Sequence, residues 1–509
     1  MTSGTSARAK YLSAALVVAL VCALFAPVRH FDFLSFDDPE YVSENPHVQA
    51  GLTKETFQWA FSEAHSGHYH PLTWLSHALD IQLFGLNPGW HHVINVAIHA
   101  LSALLLYFFV LRLLAPNDRE VRSTSVGPAL ICALIFGLHP LRLESVAWIS
   151  ERKDVLSVFF ALLALHAYVS FARHRTLVNS LAVMVCLLCG LLAKPMLVSL
   201  PVLFLVCDYW PLDRLRVASA GVSSFRNRIV EKLPFFALSG VFCVVALSAQ
   251  ASGGGLRSMA ESDLSNRIAV AFTATLAYAG KLYWPTGFGI FYPHQMLTPG
   301  IGAGSALGLI AISGWCWALR NRYPSLLFGW LWFTIAILPV CGLVQIGGQL
   351  LADRWTYLPH VGLILGTVVF VRDYLTDSFP KLNRVVIAAL PVVACFVITA
   401  RELPHWRNGE AIHRRTLAVS PNNFMAHTNL SFDLLKRGEL AEAKVHALEA
   451  VRLNPTYPEA LNNLGTVHGQ LGEYREALPH FQKALEIRPN FSAARHNLQL
   501  TLVHLGRNS

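Results

Sequence analysis

The feature that most constrains this chain is the recurrence of long apolar runs from Tyr11 to Ala400. The hydrocarbon core of a bilayer takes about 20 residues of helix to cross, with shorter spans possible when interfacial residues flank them. Runs of that kind lie near 11–27, 92–114, 126–140, 155–172, 177–193, 195–210, 233–250, 302–319, 325–343, 355–372 and 384–400. They predict an all-α polytopic membrane bundle of about eleven spans. The first run has no small-residue cleavage site before the aromatic, acidic stretch that follows it, so it reads as a signal anchor rather than a removed leader.

Composition agrees. The 509 residues are 54% hydrophobic and 14% charged, against roughly 25% charged residues in soluble domains. A soluble enzyme is excluded, and so are a disordered chain and a disulfide-stapled secreted scaffold. The nine cysteines all lie in or at the ends of apolar stretches, where thiols behave as small hydrophobes. Cys186 and Cys189 form a CxxC inside such a run and are read as packing.

The formal net charge of +9 resembles a nucleic-acid signal only until the basic residues are located. Arg8 and Lys10 precede the first run, and Arg112, Arg119 and Arg122 follow the second. Arg173 and Arg175 follow the fourth, Arg214, Arg216, Arg226, Arg228 and Lys232 the sixth, Arg320 and Arg322 the eighth, and Arg372, Lys381 and Arg384 the tenth. With eleven spans all of them fall on one side, which the positive-inside rule makes cytoplasmic. No nucleic-acid partner is expected. The N-terminus is then cytoplasmic and the C-terminus external, in a multi-pass membrane protein. This requires 264–292 to be an interfacial or re-entrant segment, because a twelfth crossing would return the C-terminus to the cytoplasm. Arg401, Arg407, Arg414 and Arg415, on the external side, run against the rule.

After residue 400 the apolar runs stop and a 34-residue period appears in Pro421, Pro455 and Pro489. Thirty-four is the tetratricopeptide period. Aligned on those prolines, the first unit has Leu430, Ser431, Leu434, Gly438, Ala443, Ala447 and Ala450 and the second Leu461, Leu464, Gly465, His468, Gly472, Ala477, Phe481 and Ala484, small residues where paired helices touch and larger ones where they interdigitate. The expected division is a membrane domain at 1–400 and a repeat solenoid at 401–509. Such stacks bind peptides or proteins on their concave faces or act as packing domains.

Three polar clusters stand on the external side. The first loop, 28–91, carries the adjacent carboxylates Asp37 and Asp38, with Asp32 and Glu40 nearby, and the histidines His65, His68, His70, His77, His91 and His92. Adjacent carboxylates can serve as a general base or bind a cation that holds a phosphate. The HxH of SGHYHPL has no partner at a known zinc spacing, so no metal ligand is assigned. His70 and His91 are read as donors to phosphate or sugar. The second cluster, 139–154, holds His139, Arg142, Glu144, Glu151, Arg152, Lys153 and Asp154. The third, 347–362, holds Arg354, and Lys194 lies in a fourth external turn. Charges at a membrane edge are expensive, so they are functional candidates. Arginine in particular presents a planar fork suited to phosphate oxygens.

The order DDPEYV, HPLTWLSHALD, HHVINVAIHALSALL, HPLRLESVAWISERKDVLS and ADRWTYLPHVGL, followed by tetratricopeptide repeats, resembles the transmembrane and tetratricopeptide-repeat O-mannosyltransferases and their bacterial relatives. That family looks like a branch of the GT-C glycosyltransferases. The resemblance implies transfer of a sugar, mannose in the eukaryotic members, from a polyprenyl-phosphate donor to a protein or glycan hydroxyl on the non-cytoplasmic face. It implies a catalytic carboxylate at Asp37 or Asp38. Arg152, Lys153 and Arg354, with His70 and His91, then bind the donor, and the reaction inverts the anomeric centre. No cofactor is required beyond a possible divalent cation. Partners are the donor lipid, the acceptor, membrane lipids and a protein or peptide at the repeats. His70 departs from the arginine that related loops often carry before Pro-Leu. The competing readings are a non-enzymatic membrane scaffold that recruits partners through its repeats and, third, a transporter.

Overall fold

The computed structural model describes residues 2–506 apart from 63, 66, 116–122, 216–221, 253–262, 294–298, 345–348 and 379–383. Arg119, Arg122, Arg216 and Lys381, used above to orient the chain, lie outside the described residues, as do Gly347 and Gly348 of the third cluster.

Among the described residues the chain is all-α apart from one short strand pair and an isolated bridge between His65 and His68, with a bundle of apolar helices followed by paired helices at the C-terminus. Each of the eleven apolar runs has a helical core. Among the described residues, six helices are long and apolar enough to cross a membrane: Arg8–His30, Pro88–Leu113, Ile149–Arg173, Leu233–Ser252, Gly300–Ala318 and Val386–Trp406. A seventh crossing would be the pair Thr124–Leu138 and Pro140–Ala147, bent by 53°. Length and hydropathy alone therefore do not reproduce eleven. Of the remaining runs, Pro359–Ser378 keeps 20 residues, and three others form shorter helices. Pro140, Pro195 and Pro324 restart helices, because proline suits a first helical turn and breaks an interior. Leu177–Ala193 has 17 residues and Leu200–Tyr209 has 10.

Ion pairs gather at both ends of the bundle. At one end Asp208 is fully buried and accepts from Lys232 (2.6 Å), Arg214 (2.7 Å) and the Tyr168 hydroxyl (2.7 Å), while Arg173 donates to the carbonyls of Arg112 and Ala115. Here the arginines that orient the chain are partly consumed as helix-end ligands. The other end carries Asp37, Asp38, Lys194, Arg354 and the repeats.

The helix Leu264–Tyr283 lies beside Pro299–Ala318 with both running the same way. A Cβ on Gly302 would approach Ala269, one on Gly308 would approach Leu276, and Thr273 Oγ1 donates to Ser305 between them (3.2 Å). The numbers rise together, as they do for parallel helices. After the first helix the chain stays beside its C-terminal end: the Tyr292 hydroxyl lies 3.1 Å from Lys281 Nζ, and Tyr292–Pro293 pairs antiparallel with Gln349–Leu351.

Close approach elsewhere depends on glycine. Pro324–Ile337 and Pro359–Ser378 meet where a Cβ on Gly366 would come 2.6 Å from the Ser325 carbonyl and 2.9 Å from Gly329 Cα. Small residues let helices associate in apolar surroundings, where burial of hydrocarbon offers no drive.

The C-terminal helices Phe424–Lys436 with Leu440–Leu453, and Pro458–Gln470 with Tyr474–Ile487, are two antiparallel hairpins, preceded by Gly409–Val419 and followed by Ser492–His504. Gly438 and Gly472 make the two hairpin turns at φ +76° and +77°, a backbone region that glycine enters freely. Gly465 faces the ring of Phe481 where a Cβ would come within 2.7 Å, and Ala443, Ala447, Ala450, Ala477 and Ala484 are buried. The period-34 positions are thus the contact positions.

Gly366→Val should force Pro324–Ile337 and Pro359–Ser378 apart at a cost of about 1–3 kcal/mol. The expected outcome is a lower thermal unfolding midpoint in detergent, with Gly300→Val, where a Cβ meets open space, as the neutral comparison.

Candidate active site

The site is assembled from three loops at one end of the bundle. The first leaves the helix Thr2–Phe25, makes a 3-10 turn at Ala26–His30, and is pinned by the Asp32 amide donating to the Arg407 carbonyl (2.9 Å). Asp37 and Asp38 follow and divide sharply in environment.

Asp38 is fully buried and fully engaged. The Leu34 amide donates to its Oδ2 (2.8 Å), and the amide of Ser150 donates to Oδ1 (2.9 Å), as does the Ser150 hydroxyl. Ser150 lies in the turn between Leu143–Ala147 and Arg152–Arg173, so one carboxylate ties the first loop to the second cluster. Burial pushes the Asp38 carboxyl up to about 6 against the pull of these donors.

Asp37 is only partly buried, and its carboxylate accepts no hydrogen bond from any described residue. Burial raises its pKa above the ordinary 3.8, the Lys153 and Arg354 cations pull it down, and Glu151 pushes it up. A free carboxylate with nearby cations and a raised pKa is suited to taking a proton.

The second and third loops supply the charges around it. Glu151 is met by Lys153 at 3.1 Å, Lys194 at 3.5 Å and Arg354 at 3.1 Å, by charge rather than by hydrogen-bond geometry. Lys194 also pairs with Asp154, and the Arg354 guanidinium and amide both donate to Glu144. The cations read from the sequence therefore stand as a network with three carboxylates, held where ion pairs are strong because water is excluded. Lys153 also sits 4.3 Å over the ring of Tyr41, which stacks on Trp74.

Of the predicted donor-binding residues, Lys153 and Arg354 come together around Glu151. His70 lies nearby at the start of Pro71–Phe84, stacked on His68 with ring centroids 5.0 Å apart, its Nδ1 unpartnered. Burial holds it well below the usual imidazole range, so it is neutral. Arg152 and His91 go elsewhere. The Arg152 guanidinium is spent on Asn95, Ser76 (2.8 Å), Asp80 (2.7 Å) and the His91 carbonyl (2.9 Å).

Arg142 is the member of the second cluster whose isolation only the structure reveals. Fully buried, it makes no ion pair among the described residues. Its Nη2 lies 3.2 Å from His360 Nδ1, its Nε and Nη1 have no partner, and the guanidinium sits 5.3 Å from the Phe136 ring and 5.1 Å from that of Tyr357.

The repeats dock at this end. The Ile290 amide donates to Thr416 (3.1 Å), Asn423 Nδ2 donates to the Phe291 carbonyl (2.7 Å), and Gly409 packs between Ser35 and Asp433.

Residues 458–491 match the tetratricopeptide repeat model. Across its length the chain is similar to human protein O-mannosyl-transferase TMTC1, at 24% identity over 89% of this chain and 56% of that protein. Human TMTC4 is 26% identical over 84% and 64%, and the Caenorhabditis elegans protein O-mannosyl-transferase F38B6.6 is 24% identical over 84% and 61%. The chain is a homologue of these proteins. It spans between about half and two thirds of their length. A solved structure, ArnT from Cupriavidus metallidurans bound to undecaprenyl phosphate, aligns over 96% of this chain and 84% of that one at 14% identity, with a TM-score of 0.35.

The burial of Asp38 sets a pH dependence. Its carboxyl is protonated in both folded and unfolded chains below 3.8, and between 3.8 and about 6 it stays protonated only when folded. Its contribution to stability is therefore present at low pH and lost as pH rises through about 6. Asp38→Asn should remove that component, visible as a flatter dependence of the unfolding midpoint between pH 4 and 7, while lowering stability overall by about 1–3 kcal/mol, because a donor amide then faces the loop amides.

Proposed function

We propose that this protein is a membrane glycosyltransferase of GT-C type. It moves a sugar, mannose by analogy with its relatives, from a polyprenyl-phosphate donor to a protein hydroxyl. The observation that carries this reading is Asp37, a partly buried carboxylate that accepts no hydrogen bond from the described residues and lies in the field of Lys153 and Arg354. Asp37 takes the proton of the acceptor hydroxyl. The hydroxyl oxygen forms a bond to the anomeric carbon, and the bond from that carbon to the donor phosphate oxygen breaks, so the phosphate leaves as an anion and the centre inverts. Lys153 and Arg354, fixed by Glu151 and Glu144, stabilise that charge as it develops. Asp38 holds the loop that carries Asp37.

The reading includes a topology of eleven crossings, with 264–292 entering and leaving on the face that carries Asp37. The parallel run of Leu264–Tyr283 and Pro299–Ala318 supports it. The division at residue 400 then puts the repeats outside the cytoplasm with the acceptor.

Asp37→Asn should reduce transfer from a radiolabelled polyprenyl-phosphate mannose to acceptor protein by about 10²–10⁴-fold; unchanged transfer overturns the assignment. Lys153→Met should move the acid limb of the kcat/KM profile to higher pH, because the cation that lowers the Asp37 pKa is gone. A limb that stays in place separates Lys153 from Asp37. Reporter fusions after residue 400 test the face: activity of a cytoplasmic reporter there contradicts the topology.

A further inference from the structure

The cluster left over by this mechanism lies around Arg152. His77 and Asp80 are one turn apart on Pro71–Phe84, and His91 lies in the first turn of Pro88–Leu113. All three are buried, and one ligand atom from each lies within 4.8 Å of the others. Neither ring nitrogen of His77 has a hydrogen-bond partner, nor does either ring nitrogen of His91. The approach of His91 Nδ1 to Asp80 Oδ2 at 3.3 Å lacks hydrogen-bond geometry. Buried polar groups are nearly always satisfied, and an orphaned one is a sign of strain, catalysis or an unseen water or ion. Here two rings, 5.8 Å apart between centroids, carry four orphaned nitrogens, and one nitrogen of each lies within 4.8 Å of an oxygen of the Asp80 carboxylate.

We propose that His77, Asp80 and His91 bind a zinc ion. Two imidazoles and a carboxylate form a donor set that suits Zn²⁺ better than Mg²⁺ or Ca²⁺, which prefer oxygen alone. Arg152 supports the carboxylate: its Nη2 donates to Asp80 Oδ2 at 2.7 Å, the oxygen that His91 Nδ1 also approaches, as partners of metal-binding carboxylates do. Side-chain rotations close the three atoms onto one ion, and water completes the tetrahedron. The ion cross-links two helices against the start of Arg152–Arg173, the helix that carries Lys153. It positions and does not touch the reacting atoms, and the proposal is independent of the transferase reading.

The test is the metal content of the full chain, purified in detergent after expression with zinc. Elemental analysis should find about one zinc per chain in the wild type and in His504→Ala, and background levels in His77→Ala and His91→Ala. Because those two could fail to fold, His77→Cys provides a second readout: cobalt exchanged into it should give a thiolate-to-metal charge-transfer band absent from cobalt-loaded wild type, which shows only tetrahedral d–d bands. Wild-type protein without zinc and without a cobalt spectrum overturns the proposal. So does zinc retained in both alanine variants.

Discussion

The Asp38 carboxylate is the interaction on which the rest of the site depends. It draws one donor from its own loop and two from Ser150, 112 positions along the chain. Without that bridge the first loop and the 139–154 segment have no reason to keep register, and Asp37 has no fixed place relative to Glu151. A buried carboxylate is costly, and here the cost is met by three donors and by the order they impose. The adjacent pair divides the labour: one carboxylate holds the loop and its neighbour is left free.

The surrounding charges obey a second constraint. Lys153, Lys194 and Arg354 are set against Glu144, Glu151 and Asp154, so the three cations are balanced before any ligand arrives. Removing one member of such a network leaves its partner buried and uncompensated, which is more damaging than the pair is stabilising. The network thereby gives the cations fixed positions, which suits the stabilisation of charge that appears only during a reaction. Arg142 lies outside this balance, supported by rings and a histidine rather than by a carboxylate.

The helical class, the repeats and the polar loops were legible in the sequence because each rests on local chemistry: apolar length, a period of 34, and charges where lipid makes them expensive. The glycines at 438 and 472 and the alanines between them sit where that period requires. The span count was less legible. Proline restarts and short helices break the link between apolar length and crossing, and the direction of Leu264–Tyr283 relative to Pro299–Ala318 is a property of packing. Within the site, Asp37 and Asp38 were visible as a pair, but their different environments depend on Ser150, which no spacing reveals. Arg152 and Lys153, adjacent in sequence, emerge from the same helix start toward different partners. His77, Asp80 and His91 meet because two helices joined by a short turn fold back on each other, which the search for a consecutive metal motif does not detect.

The docking of the repeats has a geometric consequence. Their first helices are held through Arg407, Thr416 and Asn423 to the backbone of both the first loop and the returning segment at Ile290–Phe291. The array is therefore a fixed arm. Under the proposed function, a polypeptide gripped along it would arrive at Asp37 at an effective concentration set by the length and stiffness of the stretch between grip and site, greatest when that stretch matches the gap. A rigid arm of this kind would then act as a ruler, selecting a hydroxyl by its distance from the gripped segment, whatever side chains immediately flank it.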